Sequence, residues 1–350
     1  MTVTNSVGSS SSQSRRARLS AAANPVLAGP GTSAVAVGTA AAGDVASISL
    51  INAHLRLDIA PTLGGSITRF DWRNDGGFTP IFRRCRHVAG DTDPNELACY
   101  PLLPYSNRIG GGQFNFSGRA VDVPRNRSAE PLPIHGDGWL APWQVAHADH
   151  ESVRLTLDRS RGKPYAFCAT QTYTLDGPTL IITLEVENAG REALPFGLGI
   201  HPFLPRDADT ELSAAAAGLW LADDHWLPLR HVPAPPAWQF GVAYPLPKTI
   251  VNHAFTGWSG RTAVVWPKRH LSLTIAGDMD YYVLYAPPSK DFFCFEPVDH
   301  PINAMNLPGG PEANGMTVLA RGERLKRQFT FTVERTGIRA AAGGRPGKRQ

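Results

Sequence analysis

The feature that most restricts this chain is its rhythm. Short runs of alternating apolar and polar residues recur from about residue 46 to residue 333. Each is broken by glycine or proline, and no long stretch holds a 3.6-residue apolar period. Ile48, Leu50, Leu55, Leu57 and Ile59 punctuate the first run, and Val153-Arg154-Leu155-Thr156-Leu157 alternates strictly. Residues 167–175 and 180–186 flank Asp176-Gly177-Pro178, a hairpin signal. The 34 glycines and 30 prolines, with only 18% charged residues, suit many strands joined by turns. Alternation sends every second side chain to one face, so strands of this kind must pair two faces to bury them. The chain is therefore predicted to be all-β, a large sandwich of mostly antiparallel sheets, with a concave face as the natural seat of a polar ligand. No repeat of fixed length is present.

The ends differ from the body. Residues 1–45 are rich in Ser, Ala, Gly and Thr and nearly free of aromatics, so they are expected to be disordered. Arg15-Arg16 resembles the start of a twin-arginine export signal, but residues 17–31 are too broken by Asn, Pro and Gly for a signal core. Residues 337–350 read as a flexible basic tail, which leaves one domain over 46–336. Part of the formal charge of +4 lies in the ends, at Arg15, Arg16, Arg18, Arg339, Arg345, Lys348 and Arg349. The body is close to neutral, which argues against a nucleic-acid partner. No apolar run approaches the ~20 residues of a membrane span, so no membrane partner is expected. Cys85, Cys99, Cys168 and Cys294 show no CxxC pair and read as free thiols in a reducing, cytoplasmic compartment.

Four segments break the strand-and-turn grammar. Tyr105-Ser106-Asn107-Arg108-Ile109 runs into three glycines, and the Arg108 guanidinium offers five donors to hydroxyls or a developing oxyanion. Pro133-Ile134-His135-Gly136-Asp137-Gly138-Trp139 places a histidine and an indole among turn glycines, with Trp139 a candidate wall for a pyranose ring and Trp143 a candidate core residue. Phe196-Gly197-Leu198-Gly199-Ile200-His201-Pro202 ends a glycine-rich apolar run on His201, where burial can tune an imidazole. Phe292-Phe293-Cys294-Phe295-Glu296-Pro297 ends three aromatics and a cysteine on Glu296, where an unpaired carboxylate is costly unless it is used. Each has a structural alternative: a surface ion pair for Arg108, backbone-bonded histidines, a salt bridge for Glu296. No nucleophile elbow, P-loop or dinucleotide fingerprint is present. His135, His201 and Glu296 lack metal-motif spacing, so neither metal nor cofactor is expected.

Taken in order and spacing, these pieces resemble the aldose 1-epimerase (galactose mutarotase) family over about residues 48–333. The pieces are Asn107-Arg108-Ile109, His135-Gly136, Gly199-Ile200-His201-Pro202-Phe203, Phe255-Thr256-Gly257-Trp258 and Phe295-Glu296-Pro297. The resemblance implies a β-supersandwich with the sugar in an open cleft. It implies Glu296 as general base and His201 as general acid. It also implies His135 assisting at the ring oxygen or holding the sugar, and Arg108 with Asn107 on hydroxyls. The ligand would be a free monosaccharide and the protein a monomer or weak homodimer. Asn252 stands where the family often carries a sugar-binding Asp, which bears on sugar preference more than on the reaction. Three other readings share the fold. A non-catalytic sugar-binding or sensor protein would lack the acid–base pair. A hexose-phosphate epimerase would converge Lys and Arg on the cleft, with Arg125, Arg127 and Lys163 as loop candidates beside Arg108. A glycosidase or lyase would need a second carboxylate, with Asp137 and Asp299 available.

Overall fold

The computed structural model describes residues 34–38 and 45–337. Two large antiparallel sheets enclose the core. The first runs, in spatial order, Ala34–Gly38, Ser47–Ile51, Leu55–Ala60, Ser66–Asn74, Cys99–Leu102, Gly199–Pro205, Phe292–Val298, Tyr281–Ala286, Val251–Thr256, Gly218–Ala222 and Pro228–Pro233, with Gly77–Pro80 beside Ser66–Asn74. The second runs Phe240–Pro245, Glu211–Ala214, Arg261–Trp266, Leu271–Gly277, Arg324–Arg335, Thr179–Asn188, Phe167–Asp176, Ser152–Arg159 and Gln144–Ala148. Among the described residues the one α-helix is the four-residue Gly310–Ala313, so the expected all-β antiparallel sandwich is what the chain forms.

The period-two pattern accounts for the core. Along Phe167–Asp176 and Thr179–Asn188 alternate residues are buried, and the two strands close through Gly177-Pro178 with Asp176 opposite Thr179. Gly177 supplies the positive φ of that turn, 51°. Between the sheets, Phe255, Tyr282 and Phe295 on three adjacent strands stack at 4.7 and 4.5 Å. The Tyr282 hydroxyl then donates across to the Ala214 carbonyl of the second sheet at 3.3 Å. The strand Phe292–Val298 departs from alternation because it is buried on both sides. Phe293 and Phe295 enter the main core. Cys294 and Val298 join a separate cluster with Tyr100, Leu102, Trp139 and Phe203 on the opposite face of the sheet. Glu296 shares the parity of Cys294 and Val298, so it points to that second face.

One expectation fails in part. Residues 1–45 read as disordered, yet Ala34–Gly38 is a strand paired to Ser47–Ile51, with Val35 opposite Leu50 and Val37 opposite Ile48. The small Ala-Val-Ala-Val-Gly stretch alternates within its polar surroundings, and the edge of Ser47–Ile51 otherwise offers unpaired backbone groups. Residues 1–33 and 39–44, Arg15-Arg16 included, and the tail beyond Gly337 lie outside the described residues. Cys99 and Cys294 are buried, Cys85 and Cys168 half-buried, and all four are free. No described helix is long and apolar enough to cross a membrane.

Candidate active site

The site is a row of side chains drawn across the middle of the first sheet. Gly199 pairs with Val298 and Phe203 with Cys294, and the same register, carried across the unpaired stretch between them, sets His201 opposite Glu296. Pro202 and Pro297 withhold their N–H groups from the ladder there. On the other side His201 pairs with Tyr100, and Glu296 with Val283. Directly opposed residues project to the same face, so Tyr100, His201, Glu296 and Val283 stand side by side.

His201 Nε2 lies 3.2 Å from Glu296 Oε1, with the side chains 9% and 3% exposed. Burial pushes the Glu296 carboxyl up to about 8, against the opposing pull of the Arg108 charge. Burial pushes the His201 imidazole down to about 3, and the Arg83 guanidinium adds to that. The main cause is the same in both: burial disfavours the charged form of each group. His201 Nδ1 and Glu296 Oε2 have no hydrogen-bond partner among the described residues. The Tyr100 ring stacks on His201 at 4.5 Å, and Phe203 lies 4.8 Å from it on the other side.

His135 reaches the same place from a loop. It has φ 60°, and Asn107 has φ 57°. The two residues latch each other: the His135 N–H donates to the Asn107 carbonyl and the Asn107 N–H donates to His135 Nδ1, both at 3.0 Å. With Nδ1 accepting, the ring hydrogen of the neutral imidazole resides on Nε2. Burial holds the His135 pKa well below its usual value, helped by His201, Arg108 and Arg127. The rings of His135 and His201 are 5.4 Å apart and nearly perpendicular. Gly136 is required by close approach, since a Cβ there would stand 2.2 Å from the Leu103 carbonyl oxygen at φ 65°.

The residues singled out from the sequence fall into four groups. Glu296, His201 and His135 come together. Arg108 lies close enough for its charge to act on both Glu296 and His135, held by Glu130 at 3.0 Å, while the Asn107 side chain accepts from the Arg108 N–H and shapes that turn. Asn252 pairs with Tyr285, and Tyr285 with Cys294, so it shares the face of Glu296 two strands away and is half-buried. Trp139 corrects the expectation of an open ligand wall. It is 1% exposed, its indole N–H donates to the Gly136 carbonyl at 2.9 Å, and it packs edge-on beneath His135 at 5.3 Å. It supports the histidine because the glycine turns around it fold inward.

Other candidates are held elsewhere. Asp137 is paired to Arg159 at 2.7 Å, and Asp299 takes Arg327 on one oxygen and the Leu198 N–H on the other. Neither serves as a second carboxylate beside Glu296. Arg125 binds the Glu130 and Ser128 carbonyls, and Lys163 lines a groove with Arg159 away from the pair. Arg127 does stand nearby, over Trp139 at 5.2 Å, neutralised by Asp93 at 2.6 Å. Three neighbours escaped sequence reasoning: Tyr100, Cys294 and Arg83. The Arg83 guanidinium covers the Phe203 ring at 4.0 Å and the Phe292 ring at 4.5 Å. A basic Arg83-Arg84 pair was the sole signal, and Arg84 goes instead to Asp71 at 2.7 Å.

This geometry can be set against known proteins. The model of the family described as aldose 1-epimerase matches residues 46–332. The chain belongs to the aldose 1-epimerase family. A curated relative from Escherichia coli K12, the uncharacterized protein YphB, is 33% identical over 297 residues, covering 82% of this chain and 98% of the relative. A galactose mutarotase of Mus musculus is 29% identical over 135 residues, 35% of this chain and 38% of its own length. A solved structure from Escherichia coli K12 superposes with a TM-score of 0.76 at 31% identity, covering 82% and 98%. A galactose 1-epimerase structure from Lactobacillus acidophilus NCFM, 16% identical with a TM-score of 0.68 over 87% and 99%, shares the fold.

Proposed function

We propose that this aldose 1-epimerase family member interconverts the α and β anomers of a free hexose by acid–base ring opening, without a cofactor. The single observation that carries the reading is the buried His201–Glu296 contact of 3.2 Å, which sets an imidazole nitrogen and a carboxylate oxygen side by side. Opening a pyranose removes a proton from the anomeric hydroxyl and adds one to the ring oxygen. Glu296 takes the first proton as carboxylate. His201 delivers the second from Nε2, so the reacting state carries one proton on the pair, on His201 before opening and on Glu296 after it. The C1–C2 bond of the aldehyde then turns, and closure on the other face returns both protons. His135 presents its Nε2–H to a sugar oxygen, Arg108 binds hydroxyls, and Asn252 meets the far side of the ring. Nothing is oxidised and no group is transferred. The test is polarimetry on freshly dissolved α-anomers of several hexoses. Faster decay of rotation with catalytic protein supports the reading. Tight sugar binding with decay at the spontaneous rate would favour the sensor reading.

A second reading, an epimerase of phosphorylated hexoses, is favoured by Arg83. Of the three arginines around the pair, Arg108 and Arg127 are neutralised by Glu130 and Asp93, while Arg83 has no carboxylate within 4.0 Å among the described residues. Beyond it opens a cleft of about 670 Å³ that Arg84, Arg86, Arg206 and Arg269 also line. If this reading holds, glucose 6-phosphate is turned over with higher kcat/KM than glucose, and R83A removes that preference. Equal preference in wild type and R83A would leave the neutral hexose.

A further inference from the structure

The geometry points to a cation site at the same place. We propose that His201, Cys294 and Glu296 bind a thiophilic divalent cation of the zinc class, and that the bound cation shuts the site off. The inhibition half of this rests on the reading above, whereas the binding half does not.

One ligand atom each from these three buried residues lies within 4.8 Å of the other two. Zinc takes sulfur at about 2.3 Å and imidazole nitrogen or carboxylate oxygen at about 2.0–2.2 Å. Three atoms so disposed close on one ion with small side-chain turns. The backbone already aims them. Cys294 and Glu296 are two residues apart on one strand and so project to one face, and His201 is opposite Glu296 on the next strand, both strands being central in the sheet. The mixed sulfur, nitrogen and oxygen set selects zinc, cobalt or cadmium over magnesium or calcium. A fourth position stays open for water or a sugar oxygen. Glu296 Oε2, buried without a protein partner, is a lone oxygen of the kind an ion satisfies.

The charges balance. Binding releases the Cys294 thiol proton and any proton that Glu296 or His201 carries, so thiolate and carboxylate neutralise the dication while the imidazole donates its lone pair. A carboxylate and an imidazole whose lone pairs sit on a metal can no longer exchange protons with a sugar, so cation and sugar exclude each other.

The experiment uses the full chain stripped with a chelator. Zinc chloride is titrated by calorimetry and during polarimetry, and cobalt chloride is titrated in the near-ultraviolet. The expected result is one zinc per chain at this site, a thiolate-to-cobalt charge-transfer band, and mutarotation falling at least about tenfold at saturation, restored by chelator and unaffected by magnesium. Cys294→Ser should keep metal-free turnover, lose the cobalt band and weaken zinc binding at least about tenfold, the scale on which a perturbed metal site responds. Zinc inhibition of C294S equal to that of wild type would overturn the proposal. So would the lack of a cobalt–thiolate band in wild type, or activity that needs zinc instead of losing it. A Cys294-dependent band in a protein that mutarotates no sugar would leave the cation site standing and remove the mutarotase reading.

Discussion

Glu296 is a carboxyl group held away from water with a neutral-leaning histidine as its neighbour, and that placement has a thermodynamic signature. Its folded pKa of about 8 is raised from 4.5, so between those values the folded protein keeps a proton that the unfolded chain releases. This group's contribution to stability therefore falls as pH rises from about 4.5 to about 8 and is flat above. His201, lowered from 6.5 to about 3, acts the other way: its contribution falls as pH drops from 6.5 toward 3. Replacing Glu296 by Gln removes the first effect and keeps the volume. The melting temperature of E296Q relative to wild type should therefore be higher at pH 9 than at pH 5, as thermal melts across pH would show. A gap independent of pH would mean that the carboxyl is not the buried proton holder. The burial of Glu296 was legible because three aromatics and a cysteine lead into it. The role of Trp139 was not, because an indole beside turn glycines can face a ligand or lie under the turn, and only the Gly136 carbonyl decides. Arg83 was illegible for a like reason: Arg84 next to it has the same chemistry and the opposite fate.

The corner made by Asn107, His135 and Gly136 is the element that brings a loop histidine to a strand pair. Both non-glycine residues have positive φ, a conformation of order 1–3 kcal/mol that persists because the paired hydrogen bonds fix it. Gly136→Ala should push the corner off Leu103. It should cost at least about 1–3 kcal/mol, as overpacking does, and lower melting temperature and turnover together. An active G136A of normal stability would show that the corner is not rigid. The strands themselves were legible, since alternation is local and burial follows it residue by residue. Their partners were not. His201 and Glu296 meet across ninety-odd positions of chain, and a period-two pattern carries no name of the strand it will pair with. The strand Ala34–Gly38 escaped because its five residues are outweighed by the polar composition around them.

On the scale of the whole molecule, the His201–Glu296 pair sits in the middle of a twelve-stranded sheet, far from both edges. Deleting residues 1–40 removes the edge strand Ala34–Gly38, which is five strands from Gly199–Pro205 in the sheet order. The truncated protein should keep its turnover, melt at a lower temperature and scatter more light on warming, because Ser47–Ile51 becomes an open edge. Lost turnover with an unchanged melt would place part of the site in the removed segment. The family was legible in five short motifs, while the sugar preference we propose rests on Asn252 and Arg83, whose approach to Glu296 depends on distant strands. The proposed reaction rests on one buried carboxyl–imidazole pair. The most direct measurement is the rate of rotation change for a fresh α-hexose with wild type and with folded E296Q side by side. General-base assistance is worth ~10²–10⁴-fold, so E296Q should be slower by that factor while its sugar affinity stays near wild type. Turnover of E296Q at the wild-type rate would contradict the account, because Gln cannot take the anomeric proton.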